Sequence, residues 1–185
     1  MRDPSGPFSG DNLYSLITYT GLPDESWFYV VSLLVEVAAV PALKAVLGAY
    51  ESIKQRDNGA LLEGMGVMTR ALKNMANALK EMTKERCDPV KFYGQIRQFQ
   101  KGSSDDLLKE QNGLLFEGAS EKPFQYCGAS AAQSSTLPVF DIFLGVKHSG
   151  GNLDFLTQQR LHMPPRHREF LAFLQHQPSV HTEKQ

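Results

Sequence analysis

Disulfides, net charge and long apolar runs are what this sequence has least of. The two cysteines in 185 residues, Cys87 and Cys127, stand far apart and without metal-ligand spacing. That excludes a disulfide framework and fits a reducing, cytoplasmic setting, with both read as free, buried thiols. Lys and Arg number 19 against 20 Asp and Glu, a formal net charge of −1. With no basic arm and no basic stripe interleaved with aromatics, nucleic acid and anionic membranes are not expected partners. The most apolar run, Trp27 to Val40, is interrupted by Ser32 and Glu36 and is too short to span a bilayer. The opening MRDPSGPFSG has the make-up of neither a signal nor a transit peptide. A soluble chain is expected, a single domain over residues 1–185 with enough length to bury a core.

What is present is helical periodicity. After a loop rich in Gly, Pro and Ser, the run Leu13 to Thr20 carries β-formers and reads as an edge strand. Ser26 is placed to cap a helix beginning WFYVVSLLVEVAAV, apolar nearly all round and so expected in the middle of the domain. Pro41 should kink or restart it. Asp57 opens a second helix whose Leu61, Met65, Met68, Leu72, Met75, Leu79 and Met82 alternate spacings of four and three, the seam of a helix packed along its neighbour. Asp88-Pro89, a cap followed by proline at the first helical position, starts a third. On α-helical spacing Phe92, Ile96 and Phe99 share one face, with Tyr93 and Arg97 one turn apart beside it. Leu114 to Glu117 and Phe124 to Cys127 flank a turn region, compatible with a short strand pair. Gly128-Ala129-Ser130-Ala131-Ala132 then opens a segment whose Val139, Phe140, Phe143 and Leu144 recur at helical spacing. Such small residues let a helix or a flat ring approach the backbone closely. Gly150-Gly151 ends that helix, Leu153, Leu156 and Leu161 form the stripe of another, and Met163-Pro164-Pro165 stops it.

Three ordered patterns in this C-terminal half carry a resemblance. GASAAQSS at Gly128 to Ser135, FDIFLGV at Phe140 to Val146 and MPPRHREF at Met163 to Phe170 are similar to patterns of the haem-dependent indoleamine 2,3-dioxygenase family. The helix DPVKFYGQIR, Asp88 to Arg97, extends the likeness upstream. The chain departs at Lys101-Gly102-Ser103-Ser104, where that family continues with S-G-W, and again in the polar stretch to Asn112.

The resemblance implies an all-α fold, a helical bundle corresponding to the middle of the dioxygenase large domain. It implies haem b, L-tryptophan or a related indoleamine, and molecular oxygen, with ring cleavage to N-formylkynurenine in the kynurenine pathway. Phe92 and Tyr93 would line the substrate pocket, and Arg97 would hold the substrate carboxylate. Ser130 and Ala131 would lie over the haem edge, near the substrate amine. Asp141 would support the proximal side of the haem pocket from behind. The family's axial histidine is expected on a helix beyond Met163-Pro164-Pro165, and its distal Tyr, Phe and Ser before Asp3-Pro4. None of the five histidines, His148, His162, His167, His176 and His181, is read as that ligand. The chain is thus read as the central fragment of a monomeric enzyme, without normal axial ligation or catalysis of its own. Phe92, Ser130, Phe140 and Phe143 would be left as an exposed apolar concavity, and Asp141 without a partner. The alternative is a non-catalytic relative, an oxygen-storing myoglobin of dioxygenase origin.

Overall fold

The computed structural model describes residues 1–103 and 113–177; Ser104, the polar stretch to Asn112 and His181 lie outside them. The fold is all-α, with six α-helices and no strand among the described residues. The expected strand pair is reduced to two isolated antiparallel bridges, Gly102 with Cys127 and Leu114 with Phe124. Gly102 and Gly113, at φ 64° and 125°, turn the backbone out of the extended region beside each bridge, so neither pairing propagates.

Leu13 to Thr20 is not an edge strand either. Leu16 and Ile17 are more than four-fifths exposed. The backbone N–H groups of Tyr19 and Thr20 donate to the Glu25 carboxylate, both at 2.8 Å, instead of to a neighbouring strand. Glu25 lies in the first turn of α1 (Pro23–Gln55), which begins at Pro23 and not after Ser26. The Ser26 hydroxyl instead accepts from the backbone N–H of Ser15.

α1 runs unbroken through Pro41 for 33 residues. The proline sits on the exposed face, where water can serve the carbonyl that its missing N–H leaves free. Its most apolar 18-residue stretch has a mean hydropathy of 2.1, so by length and composition the whole helix could cross a bilayer, as Trp27 to Val40 alone could not. Val31, Ala39, Ala42 and Val46 are fully buried, whereas Leu33, Val37, Val40 and Leu47 are exposed. The helix is therefore covered on one side, not central.

Arg56, left-handed at φ 55°, ends α1. Asp57 then caps α2 (Asn58–Lys80) as expected, accepting from the Ala60 N–H at 2.9 Å. The buried seam of α2 is half of the one anticipated. Met68 and Met75 face inward with Leu61 half-buried, but Ala71, Gly64 and Ala78 take the alternate positions, and Met65, Leu72 and Leu79 turn outward. At Gly64 the two helices lie within ordinary contact of one another. A Cβ built on Gly64 would stand 3.7 Å from the Ala45 carbonyl oxygen and 3.9 Å from the Ala49 Cβ.

α3 (Pro89–Lys91) is capped by Asp88, whose side chain accepts from the Val90 N–H at 2.8 Å. It continues as a π turn, Phe92–Ile96, and a 3-10 turn, Arg97–Gln100. The wide π turn delays the helical register by a residue. Ile96 is followed on the buried face by Gln100, while Phe99, expected inside, is exposed and stacks on Tyr19.

The helix expected between the small-residue patch and Gly150-Gly151 is divided. A 3-10 turn, Ala131–Gln133, capped by Ser130, precedes α4 (Thr136–Leu144), whose late start leaves Pro138 in its first turn. α5 (Gly151–Arg160) buries Gln159, and its expected stripe residues Leu153 and Leu161 are exposed. After Met163, α6 (Pro165–Gln175) packs Leu171 and Leu174 against Val139, Phe140 and Phe143 of α4 and the middle of α1. Phe140 and Phe143 are accordingly core residues, not part of an exposed concavity. Phe143 meets Tyr50 edge-on at 5.3 Å.

Candidate functional site

A cavity of about 540 Å³ lies between the N-terminal half of α1, the end of the α3 segment and the small-residue patch. Its walls are Phe28, Tyr29, Ser32, Leu33, Val35 and Glu36 from α1, Leu79 from α2, Arg97 and Gln100, and Ala129, Ser130, Ala131 and Gln133.

Two glycines bring the patch onto the end of the α3 segment. A Cβ on Gly128 would fall 2.3 Å from the Gln100 carbonyl oxygen, and one on Gly102 2.4 Å from the Gly128 nitrogen. Only bare backbone permits that approach. The Gln133 amide fastens the patch from its other side, donating to the Gly128 carbonyl at 2.8 Å and to the buried Gln159 at 3.0 Å. Cys127, expected buried, is exposed, yet its Sγ lies 3.2 Å from the Gln159 amide nitrogen. Cys87 is buried, and burial, with Asp24 and Asp88 nearby, raises its thiol pKa above the usual value.

Of the residues singled out in the sequence, Arg97, Ser130 and Ala131 share this cavity. The half-buried Arg97 guanidinium donates to the Ala129 carbonyl and to the Gln100 side chain, each at 3.4 Å. Among the described residues it has no carboxylate partner, so its charge remains available to a ligand. Ser130 accepts from the Ala132 N–H at 3.2 Å and keeps its own proton for donation. Phe92 does not line the cavity; it packs behind Phe28, ring centroids 4.6 Å apart. Tyr93 is 72% exposed and outside the cavity lining.

Asp141 is elsewhere, beside a smaller cavity of about 330 Å³. It does not lack a partner: His148 Nε2 stands 2.8 Å from its carboxylate. Gly145, left-handed at φ 68°, ends α4 and folds the chain back, which brings a residue seven positions on to Asp141. A third groove, of about 730 Å³, runs along the open face of α1 by Val37, Val40 and Leu43 to His167. Glu36 borders both this groove and the first cavity, and accepts from the Thr136 hydroxyl at 2.5 Å.

The α1 wall was not legible in the sequence pattern, because the resemblance sets the family's distal aromatics and serine before Asp3. The available signal was Phe28, Ser32 and Glu36, spaced by four on an otherwise apolar helix and hence on one face. Gln100 was missed too. It is 5% exposed, accepting from Arg97 and donating to the Tyr29 hydroxyl at 3.4 Å. Behind it, Tyr29 O–H lies 3.4 Å from Glu25, which is fully buried. Burial pushes the Glu25 carboxyl up, but hydrogen bonds from Thr20, Tyr19 and Tyr29 prevail and hold it below its ordinary pKa. Burial raises the Tyr29 phenol, with the Glu25 charge acting in the same direction.

Comparison with known proteins gives the same direction. The family model described as indoleamine 2,3-dioxygenase matches residues 1–184. Indoleamine 2,3-dioxygenase 2 of Mus musculus is 39% identical over 179 residues, covering 97% of this chain and 44% of that protein. Indoleamine 2,3-dioxygenase 1 of Mus musculus is 36% identical, with the same coverage of each. Myoglobin of Haliotis madaka is 38% identical over 152 residues, 82% of this chain and 40% of that protein. The chain spans less than half the length of these curated relatives.

Proposed function

Because the chain belongs to the indoleamine 2,3-dioxygenase family, we propose that its cavity is the substrate-carboxylate side of a haem dioxygenase pocket for L-tryptophan or a related indoleamine. The observation that carries this reading is the Arg97 guanidinium, with no carboxylate partner among the described residues, at a cavity walled by Phe28, Leu33 and Val35. Its volume of about 540 Å³ lies within the range of small-molecule sites. A planar guanidinium captures a carboxylate through paired hydrogen bonds, and the apolar wall takes the indole. Phe92 stiffens that wall by packing, tilted, behind Phe28, and Tyr93 extends the same aromatic cluster to the surface. Ser130 offers a hydroxyl, and Ala131 the low profile that a flat ring needs.

Haem, when bound, supplies oxygen activation for cleavage of the indole ring to N-formylkynurenine. The residues lining this cavity fit such a ring on one face but not its iron: no histidine is among them. His148 is engaged by Asp141, His167 by Ser135 and His176 by the Ala172 carbonyl. The role proposed for this chain is therefore to bind and orient the organic substrate, with Asp141 and His148 as supporting residues away from it. The 185-residue chain with added haem and reductant is expected to form no N-formylkynurenine.

Calorimetric titration of the chain with L-tryptophan tests the assignment. Arg97→Ala should lose about 1.5–3 kcal/mol, a charged hydrogen bond, or roughly ten- to over a hundred-fold in Kd. Unchanged affinity would sink it. The likeness to Haliotis myoglobin favours oxygen storage as a second reading. A reversible oxygen spectrum without kynurenine product, from protein carrying haem, would select it.

A further inference from the structure

The cavity has one feature that tryptophan capture by Arg97 does not by itself explain. Behind the guanidinium, two polar side chains with almost no access to water form a line into the protein. Gln100 is 5% exposed and Glu25 is 0% exposed, with Tyr29 between them. Arg97 Nη1 to Gln100 Oε1, Gln100 Nε2 to the Tyr29 hydroxyl, and the Tyr29 hydroxyl to Glu25 Oε1 each measure 3.4 Å.

The direction of this line is set at both ends. A guanidinium can only donate, and a carboxylate held below its ordinary pKa only accepts. Gln100 must therefore turn its amide oxygen to Arg97 and its NH2 to Tyr29, and Tyr29 must send its proton to Glu25. Reversing Gln100 would set its donor against the Arg97 donor at a side chain with almost no access to water. Glu25 is itself immobilised by Tyr19 N–H, Thr20 N–H and the Thr20 hydroxyl at 2.6–2.8 Å. Although each 3.4 Å link is long, the line ends on an anchor that cannot move.

We infer that Gln100 and Tyr29 are positioning residues, which hold the Arg97 guanidinium in a single orientation by linking it to the fixed Glu25 carboxylate, and so set the pocket's preference for carboxylate-bearing indoles over their decarboxylated amines. The preference rests on the proposed role of Arg97; the orientation does not.

The test has two arms, both on the 185-residue chain. In the first, exchange NMR on isotopically labelled arginine measures rotation of each guanidinium about its Nε–Cζ bond, with Arg97→Lys assigning the signal. Arg97 should rotate slowly in the wild type. Gln100→Met, which keeps the volume and removes both links, should speed rotation about tenfold, and Tyr29→Phe, which deletes one oxygen, by a smaller factor. Circular dichroism and thermal unfolding confirm that the variants are folded; should Gln100→Met unfold, Tyr29→Phe decides alone. Rotation unchanged in the folded variants overturns the inference.

In the second arm, Kd is measured for L-tryptophan and for tryptamine. Gln100→Met should weaken L-tryptophan about tenfold more than it changes tryptamine, and should alter the ratio of the two no further in an Arg97→Ala background. If Arg97→Ala abolishes the preference and Gln100→Met does not, positioning is wrong while the carboxylate reading stands. If Arg97→Ala leaves the preference unchanged, the carboxylate reading fails, and the rotation rates still decide the orientation claim.

Discussion

Replacing Glu25 by Gln should be among the most damaging isosteric changes available to this chain. Glu25 Oε1 accepts from the Tyr19 N–H at 2.8 Å and the Tyr29 hydroxyl at 3.4 Å. Its Oε2 accepts from the Thr20 N–H at 2.8 Å and the Thr20 hydroxyl at 2.6 Å. An amide has one oxygen, so one of two backbone donors must face an NH2 group whichever way Gln is turned, although the hydroxyls can rotate to accept. The smallest loss is one charged hydrogen bond, about 1.5–3 kcal/mol, and the bonds retained also lose their charge assistance. We expect about 3 kcal/mol, a large part of the 5–15 kcal/mol typical of a domain.

The same carboxylate supplies a pH signature. Its folded pKa is lowered, so its stabilisation is present above the unfolded value of about 4.3 and is lost as pH falls through the folded one. Wild type should lose stability below about pH 4.5, and the deficit of Glu25→Gln should shrink over the same range. Asp24 adds a like term to both proteins, its carboxyl held low by the Asp88 N–H against the opposing effect of burial, with help from Lys91. Urea unfolding at pH 7 and near pH 3.5 gives the two differences. A loss under about 0.5 kcal/mol at pH 7, or a deficit as large in acid as at neutrality, would refute the argument.

Two further outcomes follow from packing. Gly128→Ala should destabilise by about 1–3 kcal/mol and weaken ligand binding along with stability, because its new methyl would meet the Gln100 and Lys101 backbone, which has no flexible end to yield; a neutral effect in urea melts would show that the patch is not seated on the α3 segment. Thiol titration with a disulfide reagent at mildly alkaline pH should label the exposed Cys127 at once and the buried, pKa-raised Cys87 only as the protein opens. Two equally fast thiols would contradict the burial of Cys87.

The local rules of the chain were readable from its residues. Asp57 and Asp88 cap their helices because a short carboxylate before a helical run accepts a free N–H whatever the rest of the protein does. The patch from Gly128 to Ala132, the Arg97 helix and the family likeness were equally plain, since they depend on residue type and order. The tertiary structure decided which faces these elements present. α2 is turned so that Gly64 and Ala71 lie against α1 while Met65, Leu72 and Leu79 face outward. Phe140 and Phe143 went into the core because α6 came back over them. His148 reached Asp141 because Gly145 reversed the chain between them. Most consequential for the cavity is the π turn at Phe92–Ile96. A pattern of 3.6 residues per turn puts Phe99 inside, whereas one wider turn moves the buried position to Gln100 and exchanges an apolar wall for a hydrogen-bonding one. Periodicity is summed over a whole segment, so a single extra residue in one turn is invisible to it, and only the assembled neighbours, Tyr29 and the fixed carboxylate of Glu25, make that shift chemically significant.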